Sequence, residues 1–342
     1  MSCWADSAWD ILYRSIVKDW ASFSSHFDSD TQTEQPIRDF YNLMLLRQDA
    51  ESKALVLKVP DYDLSAALSD RFCCRLAEWR ILKSDHAVGN VFDWFPRVLK
   101  DKLNNDLDDN NWTWSYFQTM FITIRHCLGD GSGHHYQACQ KPEIVVLRQV
   151  TCEEFEGNLS LWLQTYANVN HSPQILPTCW HSRDGQLQCK GSQTDVKFIL
   201  SLPVVLNLEE EEGTQSTELW DFPVLLQPYK HGKLSTVSYD IVGRIFYSRS
   251  KNHYISRFLD EDGETVWTYD DMAHGGCPYV EAASAVNTHL TGRSSTLKLP
   301  SDFIGSFAVL PLRRILGAGW NSKGATETAN EDGNDLVVAG IE

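Results

Sequence analysis

Apolar residues recur at helical spacing in the first third of the chain and in strand-sized runs after it. Trp4, Ala8, Ile11, Leu12 and Ile16, with Ser15, fall on one face at steps of three and four. That spacing predicts a helix from Trp4 to about Trp20, and Asp6 and Ser7 suit its first turn. Residues 28–36, "DSDTQTEQP", read as a loop. Ile37 to Leu46 and Ser65 to Leu82 read as partly amphipathic helices. "VFDWFPRVLKDKL", 91–103, reads as another, with Pro96 tolerated near its first turn. "NNDLDDNN", 104–111, is a polar break.

After Trp112 the period changes. "FITI" (121–124), "EIVVLRQV" (143–150) and "FILSLPVVLNL" (198–208) are β-rich. So are "FPVLLQPY" (222–229), "YDIVGRIFYS" (239–248), "HYISRFLD" (253–260) and "ETVWTYDD" (264–271). Turn signals such as "HGK" and "EDGE" separate several of these runs. "EEFEGNLSLWLQTY", 153–166, reads as helical or mixed, and "EEEEG", 209–213, as an acidic loop. No convincing strand follows Asp271, "FAVLPL" at 307–312 being a weak candidate. Helices first and strands afterwards predict an α+β fold rather than alternating βαβ units. The expected domain is 1–318, helical over about 1–111 and β-rich over about 112–318. The Gly-, Asn- and Glu-rich residues 319–342 are expected to form a disordered tail.

Composition narrows the classes. The chain has 342 residues, 42% hydrophobic and 22% charged, as expected for a globular protein with a sizeable core. A net charge of −16 argues against a nucleic-acid partner, since phosphate affinity rests on Lys and Arg. No apolar run approaches the roughly 18 residues of a membrane span, and "MSCWADSAWD" has no signal-peptide character. The nine cysteines are therefore expected to be reduced, in cytoplasm or nucleus. Reduced thiols serve as core residues, metal ligands or nucleophiles.

A nucleophilic thiol needs ionisation, which a helix N-terminus favours, and an imidazole base oriented by a further polar group. Cys3 stands at the predicted start of the first helix. His253 opens a strand-like run; on spacing alone it reads either as a surface histidine or as a base. Asp270 follows 17 residues later. A hairpin through Asp262–Gly263 would set the two on adjacent strands.

These stretches carry a resemblance. "SCWADSAWDILY" resembles the cysteine box of ubiquitin-specific proteases, roughly N-x-G-N-T-C-Y-M-N-S before an apolar helix. "YDIVGRIFYSRSKNHYISRFLDEDGETVWTYDD" resembles their histidine box, whose second half runs G-H-Y-x-A-x(n)-W-Y-x-F-D-D. "NVFDWFPRVLKDKL" is similar to the helix Q-D-A-H-E-F-L-x-x-L-L-D-x-L. "SLPVVLNLEEE" and "FPVLLQPY" are similar to the L-P-x-x-L-x-I-x-L and F-P-x-x-L strands. The resemblance covers about residues 1–272, and the histidine box is its most specific part.

It implies a papain-like cysteine peptidase fold of thumb, palm and fingers, acting on ubiquitin or another modifier such as SUMO. Cys3 would be the nucleophile, His253 the base and Asp270 the orienting residue, with Asp271 as its alternative. Asp93, or the acidic run 209–212, would receive the modifier's basic tail. Catalysis would need no cofactor. Many members of the family hold a structural zinc in the fingers; here the matching region offers Cys127, His134, His135, Cys139, Cys179, His181 and Cys189, and Cys127, Cys139, Cys179 and Cys189 are the thiol set.

Three departures stand out. Only Met1 and Ser2 precede Cys3, where the family usually has an oxyanion-hole Asn: either the chain is truncated, the hole is built otherwise, or catalysis is impaired, and a catalytically inactive, modifier-binding relative is the other expectation. Asn252, not Gly, precedes the histidine. Trp94 stands in place of the helix's Glu, and "LRQDAES", 46–52, matches that motif better by letter.

Overall fold

The computed structural model describes residues 3–17, 20–28, 35–57, 117–129, 135–143, 145–168, 174–176, 191–210, 220–229, 237–260, 262–274, 278–282, 286–300 and 302–314, with single positions within 71–78 and 179–189. Asp93, the predicted helix over 91–103, most of that over 65–82 and the tail 319–342 lie outside these residues.

The first helix, α1 (Cys3–Val17), begins one residue before the predicted Trp4. It is more than amphipathic. Ala8, Trp9, Ile11, Leu12, Tyr13 and Ile16 are buried, and so are the polar Asp6, Ser7, Asp10 and Ser15. A helix buried on this scale is central to a core rather than laid on its surface. After it come α2 (Trp20–Asp28) and α3 (Gln35–Leu57). Two of these buried residues bind α3: Asp10 pairs with the buried Arg47 at 2.5 Å, and Tyr13 donates to Glu51 at 2.9 Å. Arg14 also reaches Glu51, at 3.2 Å. "LRQDAES" is thus the part of α3 that grips α1.

The strands follow as β1 (Thr119–Cys127), β2 (Tyr136–Glu143) and β3 (Val145–Leu147). Helix α4 (Gln149–Glu154) begins where a longer strand through 150 was expected, and α5 (Leu159–Asn168) falls in the run read as helical or mixed. Short strands β4 (Gln174–Leu176), β5 (Ser182–Arg183) and β6 (Gln186–Leu187) precede β7 (Gln193–Ser201) and β8 (Val205–Glu210). Glu209 and Glu210, expected in an acidic loop, belong to β8. The last group is β9 (Leu225–Leu226), β10 (Val237–Asp240), β11 (Gly243–Ser248), β12 (His253–Leu259), β13 (Val266–Tyr269), β14 (Tyr279–Ala282) and β15 (Phe303–Arg314).

Nine strands form one sheet. Its main path runs β14-β13-β12-β11-β15-β10-β9, with β8 on the other edge of β15 and β3 parallel to β8. The weak candidate at 307–312 is therefore the heart of this sheet. Pro311 obscured it, because proline removes a ladder donor and usually marks an edge; here Pro311 lies opposite Val205. A separate sheet, β2-β1-β7-β4, carries the Cys–His cluster described below at one end.

The close fit of α1 to the large sheet requires Gly243, the first residue of β11. A Cβ there would meet Ile11 Cγ1 at 2.8 Å and the Arg257 carbonyl at 2.9 Å. On the opposite strand positions Arg244 and Arg257 are direct neighbours, both fully buried. Arg244 donates to the carbonyls of Leu290 and Gly292, and Arg257 to those of His289 and Lys298. The crossing from β14 to β15 is tied down by its own backbone oxygens. A second core, with Trp162 edge-on to Trp220 at 5.7 Å, fills the space between α5 and β8–β10. No helix among the described residues is long and apolar enough to cross a membrane.

Breaking a buried ion pair from one side costs about 3–5 kcal/mol, because one charge stays buried without its partner. Asp10→Asn and Arg47→Met should each lower unfolding free energy in urea by about 3 kcal/mol. The joint Asp10→Leu, Arg47→Met replacement should cost much less than their sum; additive losses would mean the pair is not the source.

Candidate functional site

β11 and β12 form a hairpin in which Ser248 faces His253. Its turn ends at Asn252, whose φ of 47° is left-handed backbone. Asparagine tolerates that region better than any residue but glycine. The departure from the Gly-His pattern therefore preserves the backbone, and the Asn252 amide oxygen also accepts from Tyr247 at 3.0 Å.

The next hairpin, β12–β13, sets Ser256 opposite Tyr269. Asp262 caps its turn by accepting from the backbone N–H groups of Glu264 and Thr265, both at 2.8 Å, and Gly263 takes a φ of 73°. This is the hairpin read from "DEDGE". It brings Asp270, just past β13, to 2.7 Å between its Oδ1 and His253 Nε2. The same carboxylate oxygen accepts from the Met272 N–H at 3.0 Å, which fixes its direction. His253 is 4% exposed and its ring meets the edge of Phe303.

Asp271 lies on the other side of the ring, its Oδ1 3.5 Å from His253 Nδ1. Because the carboxylates flank opposite ring nitrogens, the trio resembles a hydrogen-bonded acid–base unit rather than a cage for one ion. An Nε2–H held by Asp270 leaves Nδ1 with the lone pair, the basic atom of a neutral imidazole. Desolvation raises the Asp271 carboxyl above its ordinary range; His253 opposes the shift and the Asp270 carboxylate adds to it. Cys3 is the first residue of α1, and α1 packs on β12, the strand His253 opens. A thiol at that place would feel the positive end of the helix dipole.

A second cluster lies at the far end of the smaller sheet. The Sγ atoms of Cys127, Cys179 and Cys189 and a ring nitrogen of His135 lie within 4.8 Å of one another. Cys127 and Cys189 are 3.5 Å apart, as are Cys179 Sγ and His135 Nδ1. The Gly129 N–H points at Cys127 Sγ and the Gly191 N–H at Cys189 Sγ, each at 3.3 Å. Backbone N–H groups aimed at sulfur fix the direction of both side chains, as outer contacts to metal ligands do. Gly191 is needed here, since a Cβ would sit 2.9 Å from the Gly129 carbonyl carbon.

Three thiols and an imidazole are a tetrahedral zinc donor set; Zn–S bonds of about 2.3 Å space sulfurs about 3.8 Å apart. The residues present fit that ion. Cys139, expected as the fourth ligand, is not in the cluster. It lies exposed on β2, paired with Thr123, and His135 takes the place. Distance along the strand explains the miss. His135 stands just before β2, facing Cys127, whereas Cys139 is four residues further along it; "C-x-G" at 127–129 and 189–191 was the available sequence signal.

No family model and no curated protein matches the sequence. Among solved structures the chain is similar to the SAGA Ubp8/Sgf11/Sus1/Sgf73 DUB module bound to ubiquitin aldehyde, with a TM-score of 0.55 and 13% identity over 91% of this chain and 68% of that one. A second structure of that module, with altered Ubp8 and shortened Sgf11, gives 0.51 and 11%, covering 91% and 67%. The fold is α+β and resembles that deubiquitinase module.

The raised Asp271 carboxyl predicts a pH effect. Its native form binds a proton more tightly than its unfolded form, so its contribution to stability is present at low pH and is lost as pH rises through the native pKa. Asp271→Asn should therefore raise the urea midpoint at pH 7, and the gain over wild type should vanish near pH 3.5. A constant difference across that range would refute the assignment.

Proposed function

We propose that the chain is a cysteine-type isopeptidase with papain-like organisation that cleaves after the C-terminal glycine of ubiquitin or a ubiquitin-like modifier. The observation that carries this is the 2.7 Å His253–Asp270 bond on the strand against which the Cys3-bearing helix packs. The USP-like fold is consistent with it.

In this mechanism Asp270 holds the imidazole with Nδ1 unprotonated. His253 takes the Cys3 thiol proton, and the thiolate adds to the carbonyl carbon of the isopeptide bond. The tetrahedral intermediate collapses with expulsion of the lysine amine, which His253 protonates. Water, activated by the same imidazole, then hydrolyses the thioester and returns the thiol. Asp271, beside Nδ1, is the alternative orienting residue. The Cys127–His135–Cys179–Cys189 cluster would hold a structural zinc remote from this chemistry, bracing the end of the β2-β1-β7-β4 sheet.

The second reading is a modifier-binding protein without turnover. The choice of modifier is open: Trp4 after the nucleophile, in place of Tyr, resembles the SUMO-directed branch of the superfamily.

Ubiquitin and SUMO, each carrying a C-terminal electrophile, test both points. One probe should label the chain at Cys3, and labelling should vanish in Cys3→Ala and fall at least 100-fold in His253→Ala. Modification at Cys127 or another thiol would overturn the assignment. Tight binding without labelling would select the second reading.

For the cluster, metal analysis should find one zinc per chain. Cys127→Ser or Cys189→Ser should lose it and lower Tm, while Cys139→Ser should keep it. A chain without zinc at neutral pH, or a Cys139→Ser variant that loses it, contradicts the set.

A further inference from the structure

The Tyr269 phenol donates to Asp6 Oδ2 at 3.2 Å, joining residues 263 positions apart. Their places matter. Asp6 lies three residues after Cys3, in the first turn of α1. Tyr269 ends β13 and immediately precedes Asp270. The bond thus links the turn that begins with Cys3 to the strand end that presents the carboxylate of the His253–Asp270 unit.

The other polar ties of α1 run elsewhere. Asp10, Tyr13 and Arg14, further down the helix, bind Arg47 and Glu51 of α3. They fix the body of α1 to another helix and leave its first turn to a separate constraint. Helix ends fray, because the first four N–H groups lack intrahelical partners. Burial, then the carboxylates of Asp6, Asp10 and Asp271, push the Tyr269 phenol far above its ordinary pKa, so it stays a donor. The cysteine and histidine box patterns quoted earlier have Asn and Phe at these two positions. An Asn–Phe couple cannot make this bond, and here both positions differ together.

We propose that Tyr269 and Asp6 are a positioning pair: their hydrogen bond holds the first turn of α1, and with it Cys3, in register with the His253–Asp270 unit. This rests on Cys3 being the nucleophile. Tyr269 touches no reacting atom; it acts through the geometry of α1. Reacting groups must be held within about 0.5 Å, and a misplacement of about 1 Å can cost 10²-fold in rate.

The test compares Tyr269→Phe, Asp6→Ala, Asp6→Asn and the Asp6→Ala, Tyr269→Phe double variant, on the full chain, with two readouts. The first is turnover of a fluorogenic C-terminal amide of ubiquitin and of SUMO. The second needs no modifier: the pH dependence of Cys3 alkylation by iodoacetamide, followed by peptide mass spectrometry. Tyr269→Phe and Asp6→Ala should each lower kcat about 10- to 100-fold with KM within about twofold, and the double variant should be no worse than either. Asp6→Asn keeps an acceptor oxygen for the phenol and should stay within a few-fold of wild type. In Tyr269→Phe the midpoint of Cys3 alkylation should rise toward pH 8.5, the value of a free thiol.

Unchanged kcat and an unchanged alkylation midpoint in Tyr269→Phe overturn the pair. So do multiplicative losses in the double variant, or an Asp6→Asn variant as impaired as Asp6→Ala. If wild-type Cys3 itself alkylates with a midpoint near 8.5 and neither amide is turned over, it is the nucleophile assignment that fails, and the pair falls with it. If only turnover is missing, the alkylation midpoints decide.

Discussion

The architecture depends on how closely α1 can lie against β11 and β12. Ile11 occupies the volume that a side chain at position 243 would fill, and only glycine leaves that volume empty. One missing Cβ therefore sets the depth of the helix in the core. That depth forces its polar residues into the interior, where they must find partners, since a buried carboxylate left alone is costly. Asp10 finds Arg47, and Asp6 finds Tyr269. The same close packing fixes where the N-terminus of α1 emerges relative to β12, and so relative to His253. The order of dependence runs from a glycine, to helix depth, to buried ion pairs, to the site.

How much of this was legible in the sequence depended on whether the signal was local. The β12–β13 hairpin was, because Asp262–Gly263 and the flanking aromatic runs specify both turn and strands within 17 residues; the juxtaposition of His253 and Asp270 followed. The start of α1 was legible to within one residue. β15 was obscured because Pro311 argued against pairing. The role of α3 was obscured for another reason. Its letters "LRQDAES" promised a motif, but its function in the fold depends on a buried contact between Arg47 and Asp10, 37 positions apart on different helices, which no local pattern encodes.

The Cys–His cluster illustrates the same limit in reverse. Three of the four expected thiols meet, yet the fourth member of the cluster is His135. The family resemblance suggested a thiol on β2, whereas membership is decided by which side chain faces Cys127 across the end of the sheet. Cys139 pairs with Thr123, four residues from Cys127 along β1, and is carried away from the cluster by the rise of the strand. The two glycines that aim their N–H groups at sulfur mark the site more specifically than the count of cysteines does.

The chain's excess of acid also acquires a structural meaning near His253. Asp6, Asp10, Asp270 and Asp271 all cluster where α1 meets β12 and β13, and each has a different neutralising arrangement: a phenol, a guanidinium, an imidazole with a backbone N–H, and for Asp271 a raised affinity for its proton. Four carboxyls so close would repel one another if all were charged and free. Distributing them among distinct donors lets one, Asp270, remain an acceptor committed to the imidazole while the others are occupied. Placing Arg47 at Asp10 rather than beside His253 has a further consequence. A cation next to the imidazole would disfavour its protonated form, the state that the proposed acid–base cycle must visit. The positive charge instead lies one helical turn deeper, where it offsets acid in the core and leaves the imidazole facing carboxylates.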